Sequence, residues 1–132
     1  MNVGFWIFML VTDLLIPVVM IGFGRVFMNH PPKEINGIYG YRTSMSMKNK
    51  ETWEFAHKYN GKIWYTCGLV MLPVTIVAML LVLGSDEGMV GMVGGILCVV
   101  QTLLLIASIY PTERALREHF DAQGKRKPEE EK

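Results

Sequence analysis

Three apolar runs, at positions 4–24, 63–83 and 89–110, alternate with polar stretches along the chain. Each is long enough to carry a helix across a hydrocarbon core of roughly 30 Å. The pattern therefore predicts an all-α integral membrane protein with three transmembrane helices. Only Gly84-Ser85-Asp86-Glu87-Gly88 separates the second run from the third, so those two spans are expected as an antiparallel hairpin. Segment 25–62 is the long polar stretch between apolar runs. Pro31-Pro32 forbids simple helical continuation out of the first span. Asn36-Gly37 and Gly40 mark a tight path around Ile38, Tyr39 and Tyr41.

With Ser44 or Ser46 as cap, a helix is expected over 47–60. It places Asn49, Trp53, Ala56, His57 and Asn60 on one face and Lys50, Glu54 and Lys58 on another. Such an amphipathic helix suits the cytoplasmic membrane surface, a level where the rings of Trp53, Tyr59, Trp64 and Tyr65 also belong. Pro111 ends the third span. Residues 112–123 then read as a short C-terminal surface helix, with Ala115, Leu116, His119 and Phe120 on one side and the pairs Glu113/Arg117 and Arg114/Glu118 on the other. The stretch 124–132, GKRKPEEEK, lacks apolar residues and reads as a disordered charged tail. The organisation is thus one membrane domain, 1–123, followed by a tail.

Composition adds little to this pattern, but the distribution of charge adds an orientation. The chain is 51% hydrophobic with mean hydropathy +0.28, above the needs of a soluble domain of 132 residues. The net charge of +1 conceals a segregation. Every Lys and Arg falls either between the first two spans (Arg25, Lys33, Arg42, Lys48, Lys50, Lys58, Lys62) or after the third (Arg114, Arg117, Lys125, Arg126, Lys127, Lys132). Basic loops stay inside, which places the N-terminus outside and the 25–62 loop and C-terminus in the cytoplasm. The first run has no basic segment before it and no small-residue cleavage site after it, so it is read as a retained span. Cys67 and Cys98 lie within spans and are read as packing residues.

Polar residues inside the spans are few. Asp13 costs about 2.5–3.5 kcal/mol at bilayer depth even on a permissive scale, and Pro17, four residues on, removes the helical donor for its carbonyl. Counted from the outer helix ends, Asp13, Thr75 and Gln101 reach similar depth and are expected as one polar cluster. With one acid and no intramembrane base, it reads as an interhelical hydrogen-bond pin rather than a proton or substrate site. Gly91 and Gly95 form a small-xxx-small pair suited to close helix approach.

Conventional catalytic and cofactor chemistry finds no foothold. Glu54-x-x-His57 has the spacing of half a helical-bundle metal site but lacks a second copy and further carboxylates, and His30, His57 and His119 are widely separated. There is no glycine-rich phosphate loop or nucleophile elbow. No enzyme activity, metal or cofactor is expected. The basic loops face anionic lipid, which accounts for them without nucleic acid.

The central stretch carries a recognisable signature. Asn36, Gly40, Arg42, Thr43, Ser46, Trp53, His57, Lys58 and Gly61 resemble the motif of the SdpI family of bacterial membrane immunity proteins, N-x3-G-x-R-T, a hydroxyl, then W-x3-H-[RK]-x2-G. The order of one span before and two after is also similar, as is the YPTERALREHF exit from the third span. Ser44 stands where the family usually has proline. The resemblance implies a factor that protects the cell from a membrane-active peptide toxin, with residues 36–64 and the bundle as the acting site. It implies membrane lipid and a peptide toxin or another membrane protein as partners, with homo-oligomerisation open. The alternative is a small transporter, channel or sensor subunit using Asp13 and the loop as a gated polar path. The motif residues Gly40, Arg42 and Thr43 are expected to dock on Trp53, His57 and Asn60, with Asn36 and Gly61 completing the set.

Overall fold

The computed structural model describes residues 2–38 and 40–127. Tyr39 of the expected turn and positions 128–132 of the expected tail lie outside the described residues.

Among the described residues four helices follow one another: α1 (Val3–Asn29), α2 (Lys50–Leu81), α3 (Glu87–Ala107) and α4 (Ile109–His119). α1, α2 and the run Glu87–His119 are each long and apolar enough to cross a membrane. α1 begins at Asn2, whose side chain accepts the Phe5 N–H at 3.0 Å. α3 begins at Asp86, whose carboxylate accepts the Met89 N–H at 2.8 Å after a hairpin turn closed by Gly84 at φ 93°.

The packing follows membrane rules, in which small and polar residues face inward and large apolar ones face out. Along α1 the buried residues are Asp13, Pro17, Met20, Gly24 and Phe27, in alternating steps of four and three. From Pro17 to Phe27 that stripe packs on α2, and Asp13 at its start meets α3. Val11, Val70 and Leu103 stand 55%, 60% and 61% exposed, as lipid-facing side chains must. α1 and α2 cross where Gly24 meets Gly61. A Cβ on Gly61 would lie 2.7 Å from the Gly24 carbonyl oxygen, and one on Gly24 would lie 2.6 Å from the Tyr65 backbone nitrogen. At the hairpin end, Trp6 donates its indole N–H to the Met79 carbonyl at 2.8 Å, over a core of Met79, Val82 and Val90.

Several expectations change here. The helix over 47–60 and the second span are one unbroken helix of 32 residues. Asn60 and Gly61 do not interrupt it, because Asn60 finds a side-chain partner and Gly61 serves the crossing. Its cap is Asn49, not Ser44 or Ser46. Asn49 Oδ1 accepts the Thr52 N–H at 2.9 Å, and Thr52 Oγ1 accepts the Asn49 N–H at 3.1 Å. Pro111 does not end the third span. α3 stops at Ala107 and Pro111 sits in the first turn of α4, where its missing N–H has no helical acceptor to serve. Gly91 and Gly95 make no close helix approach. Nothing lies within 4 Å of a Cβ on Gly95, and Gly91 meets only the Phe5 ring. The expected tail is structured through residue 127. Asp121 N–H donates to the Lys125 carbonyl, Lys127 N–H donates to the His119 carbonyl, and Asn49 Nδ2 donates to the Gly124 carbonyl at 2.6 Å. Arg126 pairs with Glu51 at 2.6 Å and lies 5.1 Å from the centre of the Phe120 ring.

Candidate functional site

The polar loop between α1 and α2 folds back onto the start of α2, and a single histidine anchors it. His57 accepts the Tyr41 backbone N–H on Nε2 at 2.8 Å, while its Nδ1 lies 2.7 Å from the Trp53 carbonyl. An acceptor at Nε2 and a carbonyl facing Nδ1 define one state, a neutral ring with its proton on Nδ1. The ring is fully buried, 4.3 Å from the Trp53 ring centre and edge-on to Phe27 at 5.0 Å. Gly40 allows the loop to come this close. Its φ is 111°, and a Cβ there would stand 2.5 Å from His57 Nε2 and 3.3 Å from Trp53 Cζ2. Trp53 is itself fully buried and donates its indole N–H to the Pro32 carbonyl at 2.8 Å, so it tethers the linker instead of sitting in an interfacial ring belt.

From this anchor a hydroxyl relay runs to α4. Thr43 Oγ1 donates to Glu113 Oε2 at 3.2 Å, and the Tyr41 hydroxyl donates to the same oxygen at 3.1 Å. Ser46, fully buried, donates to the Tyr41 carbonyl at 3.0 Å and accepts the Thr43 N–H at 2.9 Å. Thr112 donates to Asn60 Oδ1 at 3.1 Å, and Trp64 donates to Ser108 Oγ at 2.8 Å. Loop, α2 and α4 are thereby locked into one cap at this end of the bundle, backed by Tyr41, Ala56, Leu116 and Phe120.

The phenol of Tyr41 reports on this cap. Burial first, and then the Glu113 charge and hydrogen bond, push it well above the ordinary tyrosine range. The unfolded chain ionises near its ordinary value of about 10, so folding stability is fully present below that pH and is lost as pH rises above it. We expect unfolding midpoints measured between about pH 9 and 11 to fall in the wild type and to fall less steeply in Tyr41→Phe. Equal slopes would place the phenol outside the cap.

Of the residues singled out in the sequence, Gly40, Trp53 and His57 meet directly. Thr43 and Asn60 join them through Glu113 and Thr112. Arg42 does not dock on α2; its guanidinium is exposed and donates to the Gly37 carbonyl at 2.5 Å. Asn36 shapes the turn before Gly40, with Oδ1 accepting the Ile38 N–H at 3.0 Å. Gly61 lies at the α1–α2 crossing, one helical turn beyond His57, where it packs against Gly24 and Phe27. Glu113, read from sequence as a solvent-facing partner of Arg117, is the acceptor on which the loop closes.

Under the cap lies a cleft of about 560 Å³, lined by Val19, Phe23 and Phe27 of α1, Asn60 and Trp64 of α2, and Leu105 and Ile106 of α3. Gly40, Tyr41, Arg42 and Thr43 rim it on one side, and Ser108 and Ile109 on another. Its walls are apolar and its polar groups gather at the loop end. A second cluster sits deeper in the bundle, where Gln101 Nε2 donates to the Asp13 carbonyl and to Thr75 Oγ1, both at 2.9 Å. The first of these bonds takes the carbonyl that Pro17 leaves without a helical donor. Cys98, read from sequence as packing alone, donates its thiol hydrogen to Asp13 Oδ1 at 3.1 Å.

Three long apolar helices, packed through small and polar residues and capped by a docked polar loop, define a multi-pass helical membrane protein. The pattern described as the SdpI/YfhL protein family matches residues 33–112, from the linker to the first turn of α4. A protein of Bacillus subtilis (strain 168) described as "Uncharacterized protein YfhL" is 34% identical over 110 residues, covering 80% of this chain and 86% of the relative. The chain belongs to the SdpI/YfhL family. No solved structure matches it.

Proposed function

We propose that this protein is an immunity factor of the bacterial cytoplasmic membrane, which protects the cell from a membrane-active peptide through the cleft beneath its motif loop. The observation that carries the reading is that Gly40, Arg42 and Thr43 of the family signature line that cleft, while His57 of the same signature holds their loop over it through the Tyr41 N–H. A peptide lying in the membrane presents apolar side chains laterally, and an apolar cleft between α1 and α3 with polar groups at one end accepts such a segment from the lipid side. Arg42 at the rim offers a planar guanidinium to peptide carbonyl or carboxylate groups. The reading requires binding alone and no covalent step. It is tested by removing the gene from its host, restoring it, and challenging both strains with membrane-active peptides. Restored survival supports it, and equal sensitivity across a peptide panel sinks it.

The same reading places the cap and both basic segments in the cytoplasm and the hairpin between α2 and α3 outside. A cysteine at Ser85 is expected to react with an impermeant thiol reagent on intact cells, and one at the exposed Ser44 only after permeabilisation. The reverse pattern would put the cap on the outer face.

A further inference from the structure

Two buried oxygen atoms inside the helix bundle have no hydrogen-bond partner, Asp13 Oδ2 and Gln101 Oε1. Both belong to the cluster that joins the three spans. Asp13 is fully enclosed, Thr75 is 1% exposed and Gln101 is 2% exposed. The other polar atoms of the cluster are committed. Gln101 Nε2 places its two N–H groups on the Asp13 carbonyl and on Thr75 Oγ1, and Asp13 Oδ1 takes the Cys98 thiol hydrogen. Turning the Gln101 amide over would set its oxygen against the Asp13 carbonyl, acceptor against acceptor, so the assignment of nitrogen and oxygen is settled by the partners.

The charges around the cluster do not balance a carboxylate. From α3, Asp13 meets Cys98, Gln101 and Gly94, whose Cβ would stand 3.1 Å from Oδ2. From α2 the cluster is closed by Thr75. Among the described residues the titratable neighbour is the Cys98 thiol. The nearest basic residue along α1 is Arg25, roughly 18 Å away at about 1.5 Å per residue. An ionised carboxyl here carries a buried uncompensated charge and leaves two acceptors in low dielectric, each unmade bond costing free energy.

One proton resolves both deficits. On Oδ2 it neutralises Asp13 and converts an orphan acceptor into a donor, and the acceptor lacking a donor lies on Gln101, the residue already bonded to the Asp13 carbonyl. A metal cation would have to share the Asp13 carbonyl and Thr75 Oγ1 with the amide N–H groups they already accept, whereas a proton needs only the two orphan oxygens. We propose that Asp13, Gln101, Thr75 and Cys98 form an intramembrane proton-binding site, in which Asp13 Oδ2 holds one proton and donates it to Gln101 Oε1. Release breaks the O–H bond, sends the proton to solvent and leaves a carboxylate between α1 and α3, so the packing of the spans is linked to occupancy of the site.

Infrared difference spectroscopy of the protein in lipid, wild type minus Asp13→Asn at neutral pH, tests this. We expect a carboxylic-acid carbonyl band in the wild type that is absent in Asp13→Asn, shifted in Gln101→Leu and unmoved when sodium replaces potassium. A carboxylate signal for Asp13 at neutral pH overturns the proposal, assigning the orphan oxygens to a cation if the signal follows sodium and to bound water if it does not. Asparagine preserves a neutral hydrogen-bonding side chain and is expected to fold. Should it fail to, carboxyl-labelled aspartate in an Asp86→Asn, Asp121→Asn chain reports the Asp13 protonation state directly, with the same two outcomes.

Discussion

Gly61→Ala is expected to abolish assembly of the bundle, while Gly95→Ala leaves it intact. Both glycines are helical, and intrinsic propensity favours alanine at either by up to about 1 kcal/mol. The surroundings decide the opposite outcomes. Beside Gly95 a methyl group meets nothing within 4 Å, whereas at Gly61 it stands 2.7 Å from the Gly24 carbonyl oxygen, 2.9 Å from Phe27 Cβ and 3.0 Å from the Met28 nitrogen. Two of those three atoms are backbone on a packed helix and have no rotamer by which to yield. Overpacking in cores costs about 1–3 kcal/mol even where side chains give way, so a loss of about 3 kcal/mol or more is expected here. Thermal unfolding followed by size-exclusion chromatography in detergent checks it. A Gly61→Ala chain that elutes and melts like the wild type would show that α1 and α2 separate without penalty.

The second large effect is expected at Gly40. Alanine there adopts a positive φ at a cost of about 1–2 kcal/mol and drives its methyl group into the His57 ring, displacing the acceptor for the Tyr41 N–H. A buried donor left unpaired adds about 1–3 kcal/mol. Gly37, three residues earlier in the same loop, has no such constraint, since nothing lies within 4 Å and its φ is ordinary. Hydrogen exchange at the loop amides is therefore expected to rise in Gly40→Ala and to stay at the wild-type level in Gly37→Ala. Equal exchange in both would mean that the loop does not dock through Gly40.

The contrast between these glycines shows what the sequence made legible and what it hid. Three spans were readable because apolar length is a one-dimensional property, and α1 to α3 fall where the runs lie. The inward faces were not readable from hydrophobicity, because in a membrane both faces are apolar. On α1 their mark is the buried stripe Asp13, Pro17, Met20, Gly24 and Phe27, at alternating steps of four and three, in which one acid, one proline and one glycine interrupt the apolar run. Gly91 and Gly95 have a suggestive spacing, but Gly91 meets only the tip of the Phe5 ring and Gly95 meets nothing, while Gly24 and Gly61, far apart in sequence, make the close backbone contact. The grouping of Asp13, Thr75 and Gln101 followed from depth counting alone. Arg42 illustrates the limit, for a guanidinium suits helix-end carbonyls and carboxylates alike, yet the local Gly37 carbonyl takes it. Glu113 was hidden by its helical spacing from Arg117, since i,i+4 spacing says nothing about a loop folding over from elsewhere in the chain.

The central claim is that the cleft beneath the motif loop is the acting site, and filling the cleft tests it most directly. Val19 lines the cleft from α1 and is 44% exposed, so tryptophan there occupies space without entering the packed interior. Val11, on the same helix and 55% exposed, lies outside the cleft and serves as the control. In a host lacking the protein and challenged with a membrane-active peptide to which the wild type gives resistance, Val11→Trp is expected to protect fully and Val19→Trp to protect at least tenfold less, at equal membrane abundance, a factor equivalent to about 1.4 kcal/mol of binding. Full protection by Val19→Trp would contradict the account.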